Sequence, residues 1–97
     1  MSLEYRKLSD AEIATGLGAL NGWIESAGKI ERTFGFENYL DGVAFASAVG
    51  FLAESLDHHP DIEIGWRKVR ISMNTHAVEG LSPYDLELAR RIDSLGA

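Results

Sequence analysis

The chain has 97 residues, 45% of them hydrophobic and 25% charged, which suits one small globular domain spanning residues 1–97. Nine basic residues against fifteen acidic ones give a net charge of −6, so no basic stripe is available for a phosphate backbone and nucleic acid is not an expected partner. With no cysteine, disulfides, thiolate catalysis and cysteine–zinc sites are excluded. No basic stretch followed by an apolar run opens the chain, and no segment approaches the apolar length of a membrane span. The expectation is a cytoplasmic protein with no membrane partner. A core this small would gain from self-association.

Residues 1–8 are polar and read as a frayed lead-in. Ser9-Asp10-Ala11-Glu12 is a capping box, and Ile13, Leu17 and Leu20 follow at helical spacing until Asn21-Gly22. Trp23 to Ser26 and Ile30 to Phe36 read as two strands of a hairpin joined through Ala27-Gly28-Lys29. In the second strand Ile30, Arg32, Phe34 and Phe36 share a face, so Arg32 must either reach the rim or pair with an acid. Residues 38–57 carry a broad apolar arc, including Leu40, Val43, Phe45, Val49, Phe51 and Leu56, with alanines between. That is the central helix, packed on a sheet with an additional face for a partner subunit. Gly42 and Gly50 inside it are read as points of close backbone approach.

Beyond Pro60, Ile62, Ile64 and Trp66 alternate with Glu63 and Gly65 as a third strand. Lys68 to Thr75 is a fourth, with Val69, Ile71 and Met73 facing one way and Arg70, Ser72 and Asn74 the other; His76 continues the polar phase. Gly80 marks a loop. Ser82 as N-cap, Pro83 at N1 and Asp85 at N3 start a last helix whose core face is Leu86, Ala89, Ile92 and Leu95. The order α-β-β-α-β-β-α predicts an α+β fold: a four-stranded antiparallel sheet with helices on one face.

The three histidines all fall at ends of predicted elements. His58 closes the central helix, and His59, forced out of helical geometry by Pro60, sits where the backbone turns. His76 ends the fourth strand. As metal ligands they lack the H-E-x-x-H spacing, and no cysteine completes a set. As acid–base groups they fit better, because histidine as a residue type exchanges protons near neutral pH. Glu54, four residues before His58 on the same helical face, is placed to orient that ring. Each has a plainer reading as well. A histidine at a helix C-terminus satisfies end carbonyls, Asp85 at N3 is a helix-start charge, and Trp23, Trp66 and Tyr84 are core or interface aromatics. Residue types and spacing alone leave the acid–base site and structural histidines both open. Nothing supports a catalytic serine triad or a phosphate loop.

The spaced set Glu54-x3-His58-His59-Pro60-x5-Trp66-x9-His76-x8-Asp85 resembles the pattern of the pterin-4a-carbinolamine dehydratases. So do Leu8-Ser9, Gly22-Trp23, the run from Ile30 to Phe36, and the ending from Asp85 to Asp93. The resemblance implies a lyase, 4a-hydroxytetrahydrobiopterin dehydratase, which removes water to give quinonoid dihydrobiopterin in tetrahydrobiopterin recycling. It implies no metal and no organic cofactor. His58 and His76 would be acid and base, His59 would hold and polarise the pterin, Glu54 would tune His58, and Asp85 would orient the His76 loop. Main-chain groups around Asp57, His58, His59 and Pro60 and around Asn74, Thr75, His76 and Ala77 would bind the flat heterocycle, with Trp23 covering one side. A homodimer or homotetramer formed through sheet edges and the central helix is also implied, as is a functional link to phenylalanine hydroxylase. Two alternatives stand beside it. Animal members of the family also act as dimerisation partners of a homeodomain transcription factor, a non-catalytic use of the scaffold. A related protein could equally act on another pterin, such as one connected with molybdopterin.

Overall fold

The protein is described here from a computed structural model, which covers residues 3–97. Helix α1 (Asp10–Gly18) starts at Ser9, whose hydroxyl accepts from the Glu12 N–H while the Glu12 carboxylate accepts from the Ser9 N–H, the expected capping box. Strands β1 (Ile24–Ser26) and β2 (Lys29–Gly35) form the hairpin, with Ser26 paired to Lys29. The connection is therefore two residues, not three. Ala27 and Gly28 both have positive φ, 54° and 78°, the backbone that matches the right-handed twist of the strands.

Helix α2 (Tyr39–Leu56) follows, capped by Asn38, whose side-chain oxygen accepts from the Asp41 N–H at 2.9 Å. Strands β3 (Asp61–Ile64) and β4 (Lys68–Met73) and helix α3 (Pro83–Asp93) complete the order. The sheet runs β1-β2-β4-β3, antiparallel throughout. The α+β architecture and the element order expected from the sequence are thus observed, with the three helices on one face.

Register explains the core. Ile30 pairs with Met73, Arg32 with Ile71 and Phe34 with Val69, so these residues share the inner face of β2 and β4. Val49 and Ala53 of α2 and Leu88, Ala89 and Ile92 of α3 close over them, all buried. The expected core face of α3 is displaced by one position. Leu88 is fully buried, Leu86 is half-buried, and Leu95 lies beyond the helix and is exposed. The stripe that faces the sheet is Asp85, Leu88, Ala89 and Ile92, and a buried carboxylate opens it.

Arg32 resolves by pairing. Its Nη1 donates to Asp93 Oδ1 at 2.8 Å, and the Trp23 indole donates to the same oxygen at 2.8 Å. Neither glycine of α2 meets neighbouring backbone: a Cβ at Gly42 would press on the side chains of Val69 at 3.3 Å and Phe36 at 3.5 Å, and nothing lies within 4 Å of Gly50 in the single chain.

The lead-in is more ordered than its polarity suggested. Leu8 is buried and its N–H donates to Leu81 O at 2.8 Å, and Tyr5 stacks on Tyr84 with ring centroids 4.6 Å apart. Met1 and Ser2, also in that lead-in, lie outside the described residues. Helix α2 corrects another expectation, because its 18 residues are long and apolar enough to cross a membrane by length and composition. Its Gly42, Phe45, Ala46, Val49 and Ala53 are buried within the domain, as in a core helix.

Candidate active site

α2 ends two residues short of His58, which the sequence placed in its last turn. Leu56 is its last residue, and Asp57 turns into the left-handed region with φ 49° and ψ 45°. The His58 N–H then reaches back to Ala53 O at 3.1 Å and the Asp57 N–H to Glu54 O at 3.1 Å, closing a Schellman-type end. This reversal sends the His58 ring inward, where the residue is only 7% exposed, and leaves His59 in solvent. The following Pro60 is half-buried and leads directly into β3.

On the opposite side, β4 ends at Met73 rather than Thr75. Thr75 pairs instead with Gly80, through its N–H to Gly80 O at 2.7 Å, and His76 opens a short 3-10 turn that runs to Val78. His76 and Ala77 are exposed, Asn74 is half-buried and Thr75 is buried. The strand alternation therefore stops just before His76, and a tight loop sets the direction of its side chain.

The groups meet at Asp85, which is fully buried at the start of α3. Its Oδ1 lies 2.6 Å from His58 Nε2. Its Oδ2 accepts from Thr75 Oγ1 at 2.7 Å and from the Ser82 N–H at 3.0 Å. Thr75 Oγ1 is also 2.8 Å from Ser82 Oγ. One carboxylate thus joins the end of α2, the loop after β4 and the start of α3. It also joins His58 to the residue immediately before His76. The Tyr84 ring flanks His58 at a centroid distance of 5.7 Å and is itself stacked with Tyr5.

The expected Glu54–His58 pairing is replaced by another. Glu54 Oε2 lies 2.5 Å from His59 Nε2, with the two side chains 74% and 57% exposed. Asp57, also exposed, faces solvent at the helix end. Solvent screening keeps such a pair weak, so it steers His59 rather than fixing it. His58 takes Asp85 because the left-handed turn at Asp57 rotates it off the helical face that it would otherwise share with Glu54.

Two sequence-selected aromatics stand apart. Trp23 is buried against Phe34 and bonded to Asp93 at the far end of α3, eight residues and about 12 Å along the helix from Asp85. Trp66, 75% exposed, lies at the β3–β4 turn, at the other end of these strands from the histidines. With Phe36, Arg67 and Lys68 it lines a separate open hollow. Ser82 and Tyr84 were missed as site residues. As N-cap and as a core or interface aromatic they already had complete local explanations, and no one-dimensional pattern separates this buried capping box from the exposed one at Ser9 and Glu12.

Among the described residues no group of three His, Cys, Asp or Glu side chains converges as a metal site. The arrangement offers a buried imidazole–carboxylate pair with two further imidazoles on adjoining exposed turns. It is equipped for proton transfer to a ligand resting on this surface.

The family profile of the pterin 4 alpha carbinolamine dehydratases matches residues 6–95. The chain belongs to this family. A protein of Roseiflexus sp. (strain RS-1), provisionally named a pterin-4-alpha-carbinolamine dehydratase, is 46% identical over 89 residues, covering 92% of this chain and 96% of that protein. A protein of Natronomonas pharaonis with the same provisional name is 47% identical over 89 residues, covering 92% and 95%. Among solved structures, a transcriptional coactivator/pterin dehydratase from Brucella melitensis superposes with a TM-score of 0.88 at 28% identity, covering 95% of this chain and all of that one. A pterin dehydratase-like protein identified as a RuBisCO assembly factor in the alpha-carboxysome gives 0.63 at 25% identity, covering 77% and 87%. The proteins it is similar to thus include some described by their chemistry and one described by assembly.

Proposed function

We propose that this protein is a 4a-hydroxytetrahydrobiopterin dehydratase, a cytoplasmic enzyme of tetrahydrobiopterin recycling that serves an aromatic amino-acid hydroxylase. The observation that carries the reading is the buried His58–Asp85 pair at 2.6 Å, set between the turns that bear His59 and His76. A scaffold used for assembly alone has no need of an imidazole paired with a carboxylate inside its core, where unpaired polar groups are costly.

The chemistry asks for two proton transfers. One proton goes to the 4a-hydroxyl oxygen as the C4a–O bond breaks, and one leaves the adjacent ring N–H as the carbon–nitrogen double bond forms; water is the leaving group. In this reading His58 and His76 divide the two transfers, each of the kind that a placed imidazole accelerates by about a hundredfold or more. Asp85 fixes the His58 ring, and His59, steered by Glu54, holds the pterin from the solvent side. Main-chain groups of Asp57 to Pro60 and of Asn74 to Ala77 present donors and acceptors to the heterocycle. No step calls for a metal or an organic cofactor. The test is the rate of dehydration of freshly generated 4a-hydroxytetrahydropterin, followed by absorbance. Acceleration that is lost in both His58→Ala and His59→Ala, with the fold retained, supports the assignment; equal rates with and without wild-type protein refute it.

A second proposal concerns assembly. The outer face of α2 exposes Leu40 at 74% and Phe51 at 78%. Val43 and Ala48 lie half-buried on the same helix, leaving an apolar surface open for a second copy of the chain. Light scattering should show a dimer or tetramer that dissociates in Phe51→Glu. A wild-type monomer at micromolar concentration would end that reading.

A further inference from the structure

The hydrogen positions in the buried network follow from chemistry. A carboxylate only accepts, so Thr75 Oγ1, 2.7 Å from Asp85 Oδ2, must donate to it. That hydroxyl has one proton, so at its 2.8 Å contact with Ser82 it accepts, and the Ser82 hydroxyl donates. Ser82 Oγ in turn accepts from the Tyr84 N–H at 3.2 Å. The donors point one way, from Ser82 through Thr75 to Asp85, and the Ser82 N–H adds a second donor to the same carboxylate oxygen at 3.0 Å. With Oδ2 occupied, Oδ1 faces His58 Nε2. A carboxylate oxygen can only accept there, so Nε2 is the donor, and in the neutral ring Nδ1 keeps the free lone pair. Among the described residues no buried side-chain nitrogen or oxygen lacks a partner. Since His58 Nδ1 has no protein partner, it must be the atom that reaches solvent, where a ligand would lie.

Capping does not explain this arrangement. The chain's other capping box, Ser9 with Glu12, starts α1 with two exposed side chains and no second hydroxyl. At α3 a threonine from outside the helix is inserted, and Thr75, Ser82 and Asp85 are 4%, 0% and 0% exposed. We propose that Thr75 and Ser82 are positioning residues: their aligned hydroxyls fix the Asp85 carboxylate so that His58 is held as the Nε2–H tautomer with Nδ1 presented to the ligand. The kinetic consequence rests on the dehydratase reading; the tautomer does not.

The experiment therefore has two readouts. The first is the nitrogen-15 histidine spectrum of the wild-type protein at pH 8, with the His58 signals assigned by their loss in His58→Gln. The proposal expects the Nε2–H form, and an Nδ1–H form overturns it. The second compares Thr75→Val, which keeps the shape and removes the hydroxyl, with Thr75→Ser, which keeps the hydroxyl. In Thr75→Val the tautomers should mix and kcat should fall about tenfold to a hundredfold, the worth of one hydrogen bond to a charged group, with little change in KM. Thr75→Ser should recover most of that loss. A single unchanged tautomer and wild-type kcat in folded Thr75→Val refute the proposal. Should Thr75→Val not fold, Ser82→Ala decides, because it keeps every donor to Asp85 while freeing the Thr75 hydroxyl to rotate, and otherwise removes only the acceptor of the Tyr84 N–H. Reduced kcat or mixed tautomers support positioning there, and wild-type values of both overturn it. If the wild-type protein has no dehydratase activity, the functional reading fails, and the tautomer still decides the role of the two hydroxyls.

Discussion

Replacing Asp93 by alanine should cost this domain much of its stability, although Asp93 is the last residue of a surface helix. Two donors converge on its Oδ1: Trp23 Nε1, in a residue only 5% exposed, and Arg32 Nη1, in a side chain 22% exposed. Removing the carboxylate leaves the indole N–H without its acceptor, at about 1–3 kcal/mol. It also leaves the Arg32 charge half-buried against Phe34 without its counter-ion. That loss falls between the roughly 0–1 kcal/mol of an exposed pair and the roughly 3–5 kcal/mol of a broken buried one. A combined loss of about 3 kcal/mol is expected. For a domain of this size that corresponds to a fall in Tm of about 12–24 °C.

Urea unfolding at fixed protein concentration, followed by tryptophan fluorescence, gives the number. The midpoint should fall while the slope m stays constant, since the unfolded surface is unchanged. A double-mutant cycle with Trp23→Phe then isolates the indole bond, and a coupling of about 1 kcal/mol is expected. If Asp93→Ala unfolds within about 0.5 kcal/mol of wild type, as ordinary surface substitutions do, the node does not hold α3 to the hairpin and the argument fails.

The two glycines of α2 should respond in opposite directions. Gly50→Ala, with nothing within 4 Å, should raise stability by about 0.5–1 kcal/mol in thermal unfolding, whereas Gly42→Val, whose Cβ would already press on Val69 at 3.3 Å, should lower it by about 1–3 kcal/mol. A Gly50→Ala variant that is destabilised and loses self-association would instead put that position inside a subunit interface. The hydrogen bond from Arg90, aided by Arg91 and opposed by partial burial, holds the Glu87 carboxyl down at about 2. A depressed carboxyl contributes stability above its ordinary value of 4.5 and loses it as pH falls towards 2. Because Arg90 is 62% exposed, the contribution is up to about 1 kcal/mol; the gap between wild type and Glu87→Gln should be present at pH 6 and closed near pH 2, and a gap independent of pH would refute it. Asp85→Asn places an amide where His58 needs an acceptor and should cut dehydratase turnover by about a hundredfold to ten-thousandfold with the helices intact, as measured by absorbance kinetics and circular dichroism. Turnover within a few-fold of wild type would show that the pair is structural.

What could be read from the sequence depended on whether a residue's reason lay within its own element. The capping boxes, the alternation in β4 and the apolar arc of α2 are local patterns, and the element order followed from them. The partner of His58 is not local. Helical spacing offered Glu54, and one left-handed residue, Asp57, was enough to redirect the ring to a carboxylate 27 positions away. A non-glycine residue in that conformation gives no signal in periodicity. Asp85 illustrates the same limit, since its helix-start role is real and hid its second one. The capping geometry that accepts the Ser82 N–H also fixes the carboxylate plane, and that plane sets which oxygen meets His58. The start of α3 thus serves two purposes with one side chain. A variant that keeps a capping carboxylate but lengthens its stem by one methylene, such as Asp85→Glu, should therefore separate them, keeping the helix while displacing His58.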